Sequence, residues 1–400
     1  MTGGRARRIA VLKPDFGVSG GFERVVDHVE ATLRADGHQV TRLTVDAHPP
    51  HRQVAGLNIP ADVWETVPEY FRYLAGRDAF DRLDTRRYDL VLSTQPPSFA
   101  HRHPRHLALF FHHHRVFYDL EALYLRAGFA ADPVAHRRAG ELVRELDAPR
   151  LDAVTSFLAG SQVVADRLAS FNHRADAAVF HAGIGVGTEA GEPPTTDASG
   201  PVLCVGRHEF PKRTELVVAA AHLLDRPFLL VGTGGRERWA RSLDHRFATG
   251  DLDPATTDDE TLWCNTGQGA APVPDGFAST VHFAGRLTDD DLARAYREAP
   301  CVVAPAYDED YGLTAVEAMA QGRPVVVCRD GGGLAELVDH ERTGLIVDPT
   351  PRSIADAVDR LCSNLDLAAE LGRNGRLRAA ELTWAAADQE LRTAVAEVLA

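Results

Sequence analysis

Lysine is almost missing from this sequence of 400 residues, because Lys13 and Lys212 are the only two and arginine supplies the other basic side chains. Such usage is what a GC-rich genome produces, so chance survival of two lysines is one interpretation. The other is functional, because the flat guanidinium of arginine does not reproduce the compact ammonium of lysine. Both lysines are therefore candidates for contact with a ligand.

Long apolar runs and paired cysteines are missing as well. No run reaches the roughly 18 residues that a membrane-spanning helix needs, and the first eight residues lack the apolar segment of a secretory signal. The five cysteines have no paired spacing, which argues against a disulfide framework or a metal site and favours reduced core residues. We expect a cytoplasmic protein.

Basic residues do not outnumber acidic residues in this sequence. The formal net charge is −14, and it is uneven, since residues 1–185 hold 23 Arg and Lys against 22 Asp and Glu, whereas residues 186–400 hold 20 against 35. Nucleic-acid binders are usually basic, so we expect no nucleic-acid partner.

Acidic residues are absent between Asp89 and Asp119, an interval rich in basic side chains. For the histidine-rich basic strip at 101–115 we expect contact with an anionic acceptor, or peripheral contact with an acidic lipid surface at the inner membrane face. A solvated loop is the alternative. The strip contains Arg102, His103, Arg105, His106, His112, His113, His114 and Arg115.

Two stretches begin with the pattern of a doubly wound α/β domain, in which a strand, a glycine turn, a helix and a second strand follow one another. The first starts at Arg8, and the second restarts at Val202 after a turn-rich stretch; length also favours two or three domains. The polar stretch 250–278 is either an insertion or a lid. The predicted boundaries are a first domain at 1–185, a linker at 186–200, a second domain at 201–382 and a last helix at 383–400.

The densest motif begins with the apolar run Cys301–Pro305, which is typical of a buried strand, and ends with helix-forming residues over Gly312–Gly322. Glu309 falls in the intervening loop. Glu317 follows it by about two helical turns, so we predict two carboxylates that border one pocket.

The start of this helix predicts a second feature of the same pocket. The first backbone amides of a helix have no partner within the helix, and such a site suits a phosphate or a polarised hydroxyl. The amides concerned belong to Tyr311, Gly312 and Leu313.

This segment resembles the signature of the retaining glycosyltransferases of family 4, which have the GT-B fold. The resemblance covers about fifty residues and departs at Asp310 and Thr314, where glycine and proline are usual. It implies an α/β protein with two Rossmann-like, doubly wound parallel-sheet domains that face each other across a cleft, with the last helix crossing back to the first domain. The matching residues are Glu309, Gly312, Leu313, Glu317–Ala320, Gly331–Gly333, Glu336 and Thr343–Val347.

The resemblance also implies roles in the second domain. Arg207 and Lys212 match a loop whose two cations grip the diphosphate, and together with Glu309, which would hold the hydroxyls of the donor sugar, they are candidate catalytic residues. Glu317 would bind the ribose diol. The remaining donor contacts implied are a turn at Gly232 beside the nucleotide and, along the base, Arg286 and Leu287.

In the first domain, the resemblance implies that the loop at Gly20 and Gly21 reaches donor and acceptor. In proteins of this family, a histidine that follows a strand points into the cleft between the two domains. His112 matches it as a candidate catalytic residue, with His113 as a rival one position later.

The implied reaction is a metal-independent hexosyl transfer with retention, from a nucleoside-diphosphate sugar to a hydroxyl of a small-molecule, glycan or lipid acceptor. UDP-sugars rank first as donors and GDP-mannose second, and no cofactor is implied beyond this co-substrate. Three alternatives stay open. Asp308 and Asp310 could form the Asp-x-Asp metal site of the other large glycosyltransferase fold, or the chain could bind a nucleotide sugar without catalysis. A dinucleotide-dependent oxidoreductase is disfavoured, because Pro14–Gly21 lacks the G-x-G-x-x-G spacing.

Overall fold

The structure is a computed structural model that describes residues 5–17, 20–48, 51–183, 199–224 and 226–400. Its chain contacts divide it into two compact units, one of Met1–Gly183 with Trp384–Ala400 and the other of Ile184–Thr383. Of the predicted linker at 186–200, residues 186–198 lie outside the described ranges. Within those ranges, no helix combines the length and apolar character required to cross a membrane.

The first unit alternates strands and helices, as its sequence pattern predicts. Its strands are β1 (Arg8–Asp15), β2 (Gln39–Asp46), β3 (Gln53–Val54), β4 (Leu57–Asn58), β5 (Leu90–Ser93), β6 (His106–Phe110), β7 (Ser156–Ala159) and β8 (Ala178–Val179). Its first helices are α1 (Gly21–Ala35), α2 (Ala61–Thr66), α3 (Pro68–Asp81), α4 (Glu121–Arg126), α5 (Pro133–Asp152) and α6 (Gln162–Asn172).

Six of these strands form one parallel sheet in the order β2-β1-β5-β6-β7-β8, and β3 and β4 form a separate antiparallel pair. Ile9–Leu12 in β1 and all residues of β5 are buried. Central strands of a doubly wound sheet are covered on both faces, which explains why they are continuous apolar runs and not alternating ones.

The second unit repeats the architecture with a second six-stranded parallel sheet, in the order β11-β10-β9-β12-β13-β14. Its strands are β9 (Val202–Val205), β10 (Phe228–Val231), β11 (Val281–Gly285), β12 (Val302–Ala304), β13 (Val325–Cys328) and β14 (Gly344–Val347). Its helices are α7 (Thr214–Ala221), α8 (Glu237–Ala248), α9 (Asp259–Leu262), α10 (Asp289–Glu298), α11 (Leu313–Ala320), α12 (Gly333–Leu337), α13 (Pro351–Ser363) and α14 (Leu365–Ala379). The strand order reverses between β9 and β12, and ligands of open α/β sheets bind beside the carboxyl ends of such strands.

The last helix, α15 (Trp384–Leu399), packs in the first unit against α1. The indole of Trp384 stacks on the imidazole of His28 with ring centroids 3.8 Å apart. Asp388 accepts hydrogen bonds from Nε2 of His28 (2.9 Å) and from the hydroxyl of Thr32 (2.8 Å). An aromatic stack and a shared carboxylate therefore hold the two ends of the described chain together.

Candidate active site

Glycine-bearing strand ends meet at one edge of the second sheet. The amide of Gly206 donates to the carbonyl of Val231 (3.0 Å), and the amide of Gly232 donates to that of Gly285 (2.8 Å). Gly232 has a φ of 129°, and a Cβ there would lie 1.9 Å from the carbonyl oxygen of Gly206. Only glycine fits, so the predicted donor-binding turn brings backbone against backbone.

Arg286 and Leu287, predicted to lie along the nucleotide base, follow β11 directly. The strand closes at Gly285, whose φ is 65°. Beyond it the side chain of Arg286 is exposed and that of Leu287 is half-buried. Both residues therefore leave the sheet at the edge where Gly232 is bonded to Gly285.

A lysine and a glutamate, 97 positions apart in sequence, form an ion pair at the same edge. Lys212 closes a short 3₁₀ turn after β9, and its ammonium donates to Oε2 of Glu309. Both side chains keep part of their surface open, 27% for Lys212 and 20% for Glu309. Arg207, on the same loop as Lys212, is exposed and has no ion-pair partner among the described residues. The cations and the carboxylate predicted to act on a donor are thus placed on adjoining loops.

The loop that carries Glu309 is held by backbone hydrogen bonds to a glycine run. The amide of Glu309 donates to the carbonyl of Gly331 (3.0 Å), and its carbonyl accepts from the amide of Gly333 (2.7 Å). Gly332 has a φ of 57°, and a Cβ there would lie 2.6 Å from the carbonyl oxygen of Glu309. Glycine is required because any side chain would push the two loops apart.

Helix α11 begins directly after this loop. Gly312 is its N-cap with a left-handed φ of 108°, and a Cβ at this position would lie 2.7 Å from Cδ2 of Leu334. The amides of Gly312 and Leu313 have no acceptor within the described ranges, and the first turn contains no acidic residue. The positive end of the helix is therefore available to an anion. The side chain of Tyr311 is buried, so only its backbone suits the predicted contact.

Glu317 is anchored separately from Glu309. The hydroxyl of the fully buried Tyr296 donates to Oε2 of Glu317 (2.8 Å). Burial and the charge of Glu317 raise the pKa of Tyr296 well above its usual value, so the phenol stays a donor. Glu317 itself is half-buried, one turn into α11. The sequence pattern did not indicate Tyr296, which lies on α10.

Arg213 is the second residue that sequence reasoning missed. It is fully buried, its Nε donates to the carbonyl of Pro305 (2.7 Å), and its Nη2 donates to the carboxylate of Asp330 (2.6 Å). These partners are 92 and 117 positions away. No spacing rule could have joined them, although an arginine directly after the predicted diphosphate lysine was a visible signal.

In the first unit, the structure distinguishes the two rival histidines. His113 is fully buried, donates from Nε2 to Oδ1 of Asn172 (2.6 Å) and stacks on the ring of Tyr118 at 4.2 Å. His112 is half-buried, and its Nδ1 donates to the carbonyl of His113 (2.7 Å). His113 is thus a core residue, and His112 alone of the two presents surface to a ligand.

Gly20 and Gly21 lie at the start of α1, and residues 18 and 19 of their loop lie outside the described ranges. Gly20 is the N-cap in an extended conformation that other residues also adopt, so its backbone does not require glycine. The ammonium of Lys13, near the end of β1, pairs with Glu23 of α1 (3.2 Å) and donates to the carbonyl of Pro14 (3.1 Å). The side chain of Lys13 is only 7% exposed, so this pair links β1 to α1 inside the unit.

The predicted basic strip at 101–115 is only partly exposed. Two of the histidines listed for it, His106 and His113, are buried in the core, as is the neighbouring His101. Burial lowers the pKa of His106 to about 3, so this side chain is uncharged at neutral pH. Arg115 pairs with Asp119 (2.6 Å), and the exposed basic residues that remain are Arg102 and Arg105. The acid-free interval thus includes a buried strand, and contact of its exposed part with an anionic acceptor or a lipid surface stays a prediction.

The described part of the chain contains no group of three or more His, Cys, Asp or Glu side chains able to hold a metal ion. Asp308 and Asp310, the residues of the metal-dependent alternative, lie in the loop before α11. Asp308 has a left-handed φ of 45°, and its amide donates to the carbonyl of Asp330 (2.7 Å). All five cysteines are buried and free of disulfides, as expected.

Part of the second unit, including Glu309 and Glu317, matches a known protein family. Residues 276–378 match the family described as Glycosyl transferases group 1. The D-inositol 3-phosphate glycosyltransferase of Corynebacterium kroppenstedtii is 38% identical over 117 residues, which are 29% of this chain and 26% of that protein. An uncharacterized glycosyltransferase of Methanocaldococcus jannaschii is 44% identical over 90 residues, or 22% and 23% of the two chains. The matched region thus spans about a quarter of these relatives.

Solved structures resemble the chain over nearly its whole length. Sucrose-phosphate synthase from Thermosynechococcus elongatus superposes with a TM-score of 0.69 at 21% identity, covering 97% of this chain and 98% of that one. Anabaena HepE in complex with UDP-glucose gives a TM-score of 0.64 at 16% identity, covering 98% and 99%. At these identities the likeness shows the fold. The chain therefore has the GT-B fold, and its residues 276–378 match the group 1 glycosyltransferase family.

Proposed function

We propose that this protein is a retaining glycosyltransferase of family 4, which transfers a sugar from a nucleoside-diphosphate sugar to a hydroxyl of a small-molecule, glycan or lipid acceptor. The ion pair between Lys212 and Glu309 is the observation that carries the proposal. The sugar of such a donor is bonded directly to the diphosphate. A carboxylate that touches the phosphate-binding ammonium is therefore within reach of the sugar.

Charge changes at both ends of the bond that breaks, and the site has a group for each end. Negative charge grows on the leaving diphosphate, where Arg207, Lys212 and the amides of Gly312 and Leu313 supply positive potential. Positive charge grows on the sugar ring, where Glu309 supplies a carboxylate and binds hydroxyls. In the retaining reaction the acceptor attacks on the face that the leaving group departs from. The β-phosphate takes the proton of the acceptor, so no protein nucleophile is needed.

Glu317 and the strand-end residues complete the donor site in this proposal. Glu317, which the hydroxyl of Tyr296 orients, would bind the ribose diol, while Gly232, Arg286 and Leu287 border the nucleotide. UDP-sugars rank first as donors, which the likeness to HepE bound to UDP-glucose supports, and GDP-mannose ranks second. For His112 and for the loop at Gly20 and Gly21, the family resemblance implies contact with the sugar and the acceptor.

A thermal-shift screen of UDP, GDP and their sugars, followed by a transfer assay with and without EDTA, tests the proposal. A ligand at 100 times its Kd should stabilise the folded state by about 2.7 kcal/mol. We expect a shift with one nucleoside diphosphate and its sugar, and transfer that survives chelation, because the cations and the helix start already neutralise the diphosphate.

Each alternative predicts a different result in the same experiment. Loss of transfer in EDTA with rescue by Mn²⁺ would favour the metal-dependent use of Asp308 and Asp310. Binding of a nucleotide sugar without transfer or hydrolysis would favour a binding module. A shift with NAD and none with nucleotide sugars would contradict the proposal outright.

A further inference from the structure

A buried arginine lies directly behind the two charged groups of the site. Arg213 is fully buried and adopts a left-handed φ of 51°. Its two terminal nitrogens donate to the two carboxylate oxygens of Asp330, at 2.9 and 2.6 Å. Its Nε donates to the carbonyl of Pro305 (2.7 Å), and Nη2 also donates to that of Ala306 (3.3 Å). One guanidinium therefore joins three separate segments of the chain.

Aromatic rings cover the guanidinium of Arg213. Its central carbon lies 5.1 Å from the ring centroid of Trp263 and 5.5 Å from that of Tyr307. Trp263 is 3% exposed, and its ring also lies 5.9 Å from that of Phe210, on the 3₁₀ turn that carries Lys212. A planar guanidinium stacks on rings while it binds a carboxylate in its plane, which a lysine cannot do.

Trp263 belongs to the polar stretch 250–278, which the sequence left open as an insertion or a lid. Around this tryptophan the stretch is anchored to the unit. The indole nitrogen of Trp239 donates to the carbonyl of Leu262 (2.7 Å), and Nη1 of Arg236 donates to the carbonyl of Asn265 (2.6 Å). Leu262 and Trp263 are buried. This part of the stretch is thus a fixed support and does not have the character of a lid.

Backbone hydrogen bonds connect the segments that Arg213 joins to the two loops of the site. The amide of Tyr307 donates to the carbonyl of Pro211 (2.7 Å), one residue before Lys212. The carbonyls of Asp330 and Gly331 accept from the amides of Asp308 (2.7 Å) and Glu309 (3.0 Å). Lys212 directly precedes Arg213 in the chain. A displacement of the guanidinium should therefore move the backbone that carries Lys212 and the backbone that carries Glu309.

We propose that Arg213, gripped by Asp330 and covered by Trp263, is a positioning residue that holds Lys212 and Glu309 at their working separation. The inference rests on the proposed function. Binding of a free nucleoside diphosphate needs only the cations and the helix amides. Its affinity should change little when the flexible side chain of Lys212 is slightly displaced. Transfer needs the carboxylate and the ammonium placed together around one bond, and small misplacements of catalytic groups cost up to about 100-fold in rate. Loss of Arg213 should therefore lower kcat far more than nucleotide affinity.

The test compares Arg213→Lys with a matched control, Arg323→Lys. Arg323 is also a buried arginine of the second unit, but it donates to the carbonyl of Arg297 and, among the described residues, has no hydrogen bond or ion pair with either loop of the site. For each variant we would measure kcat, the donor KM, the Kd of the free nucleoside diphosphate and Tm. We expect Arg213→Lys to lose about 10- to 100-fold in kcat and less than about threefold in Kd. Arg323→Lys should lower Tm while keeping kcat within about twofold.

A double-mutant cycle separates positioning from general weakening of the fold. In a Glu309→Asp background, Arg213→Lys should cost much less than it does alone, because groups that act as one unit are not additive. Trp263→Leu should reproduce the kcat loss in weaker form. Equal kcat loss in the Arg323 control, or full additivity in the cycle, would overturn the inference. If wild-type protein transfers no sugar, the proposed function fails first; if it does and Arg213→Lys keeps wild-type kcat, only the positioning role fails.

Discussion

The two lysines of the chain form similar ion pairs in the two units, and burial is what separates them. Lys13 pairs with Glu23 at 3.2 Å, and its side chain is 7% exposed. Lys212 pairs with Glu309, and its side chain is 27% exposed. A buried pair of this kind links a strand to a helix, whereas a partly exposed pair can exchange its internal partner for a ligand. Rarity in the sequence marks both lysines equally, so exposure has to decide which one serves a substrate.

Neutralising the carboxylate of each pair should reveal the largest difference between the two ion pairs. We expect Glu309→Gln to lower kcat by about 10²- to 10³-fold with an unchanged Tm, because it removes a charge that the transition state needs. Glu23→Gln should instead lower Tm, since it leaves the buried ammonium of Lys13 without its carboxylate. Steady-state kinetics and thermal unfolding of the two variants check this. Wild-type turnover in Glu309→Gln would remove the assignment of the site.

Chemical labelling compares the exposure of the two lysines without any mutation. A mild acylating reagent can modify only Lys13, Lys212 and the amino terminus. We expect Lys212 to react at least about tenfold faster than Lys13, because Lys13 is buried, and bound nucleoside diphosphate should protect Lys212. Peptide mass mapping with and without the nucleotide measures both effects. Equal labelling of Lys212 in the two samples would contradict its contact with the diphosphate.

Acid should destabilise the first unit through a histidine of its core. Burial lowers the pKa of His106 from an ordinary 6.5 to about 3, so the stability that this neutral side chain contributes is present above pH 6.5 and is lost as pH falls toward 3. Between pH 7 and pH 5 we expect wild type to lose about 2 kcal/mol more unfolding free energy than His106→Gln. Urea unfolding at the two pH values tests this, with the exposed His282→Gln as control. Identical pH dependence in wild type and His106→Gln would contradict it.

The two glutamates of the second unit should differ in which kinetic constant they affect. A ribose contact is made equally in the ground and transition states, so Glu317→Ala should raise the donor KM by about tenfold and leave kcat nearly unchanged. Tyr296→Phe removes only the hydroxyl that orients Glu317 and should raise KM by about two- to threefold. Initial rates across donor concentrations measure both. An unchanged KM in Glu317→Ala would count against the ribose contact.

Local pattern was enough to predict both sheets and the main motif. Apolar runs such as Cys301–Pro305 indicate parallel strands that are covered on both faces. Glycines at the strand ends indicate places where two backbone segments approach closely. The helix predicted over Gly312–Gly322 is α11 at Leu313–Ala320. These features depend on neighbours within a few residues, which is why the sequence shows them.

The sequence did not predict which histidines of the first unit are buried. His106 and His113 belonged to the predicted strip, yet they lie on and beside β6, the fourth strand of a six-stranded sheet. A histidine there can be either a surface cation or a neutral core residue with one hydrogen bond, as His106 has with Ser93 (2.8 Å). Residue type does not distinguish the two cases, because the covering of β6 depends on segments far away in sequence.

The sequence by itself determined the α/β architecture, the strand ends that are predicted to bind a ligand and the identity of Lys212, Glu309 and Glu317 as candidates. Only the tertiary structure paired Lys212 with Glu309, separated the two lysines and revealed Arg213 and Tyr296 behind them. The physical reason is the range of each interaction. Helix and strand patterns arise from neighbouring residues, whereas the ion pair between Lys212 and Glu309 and the guanidinium of Arg213 between loops need partners about a hundred positions apart, brought together by the packing of the whole sheet.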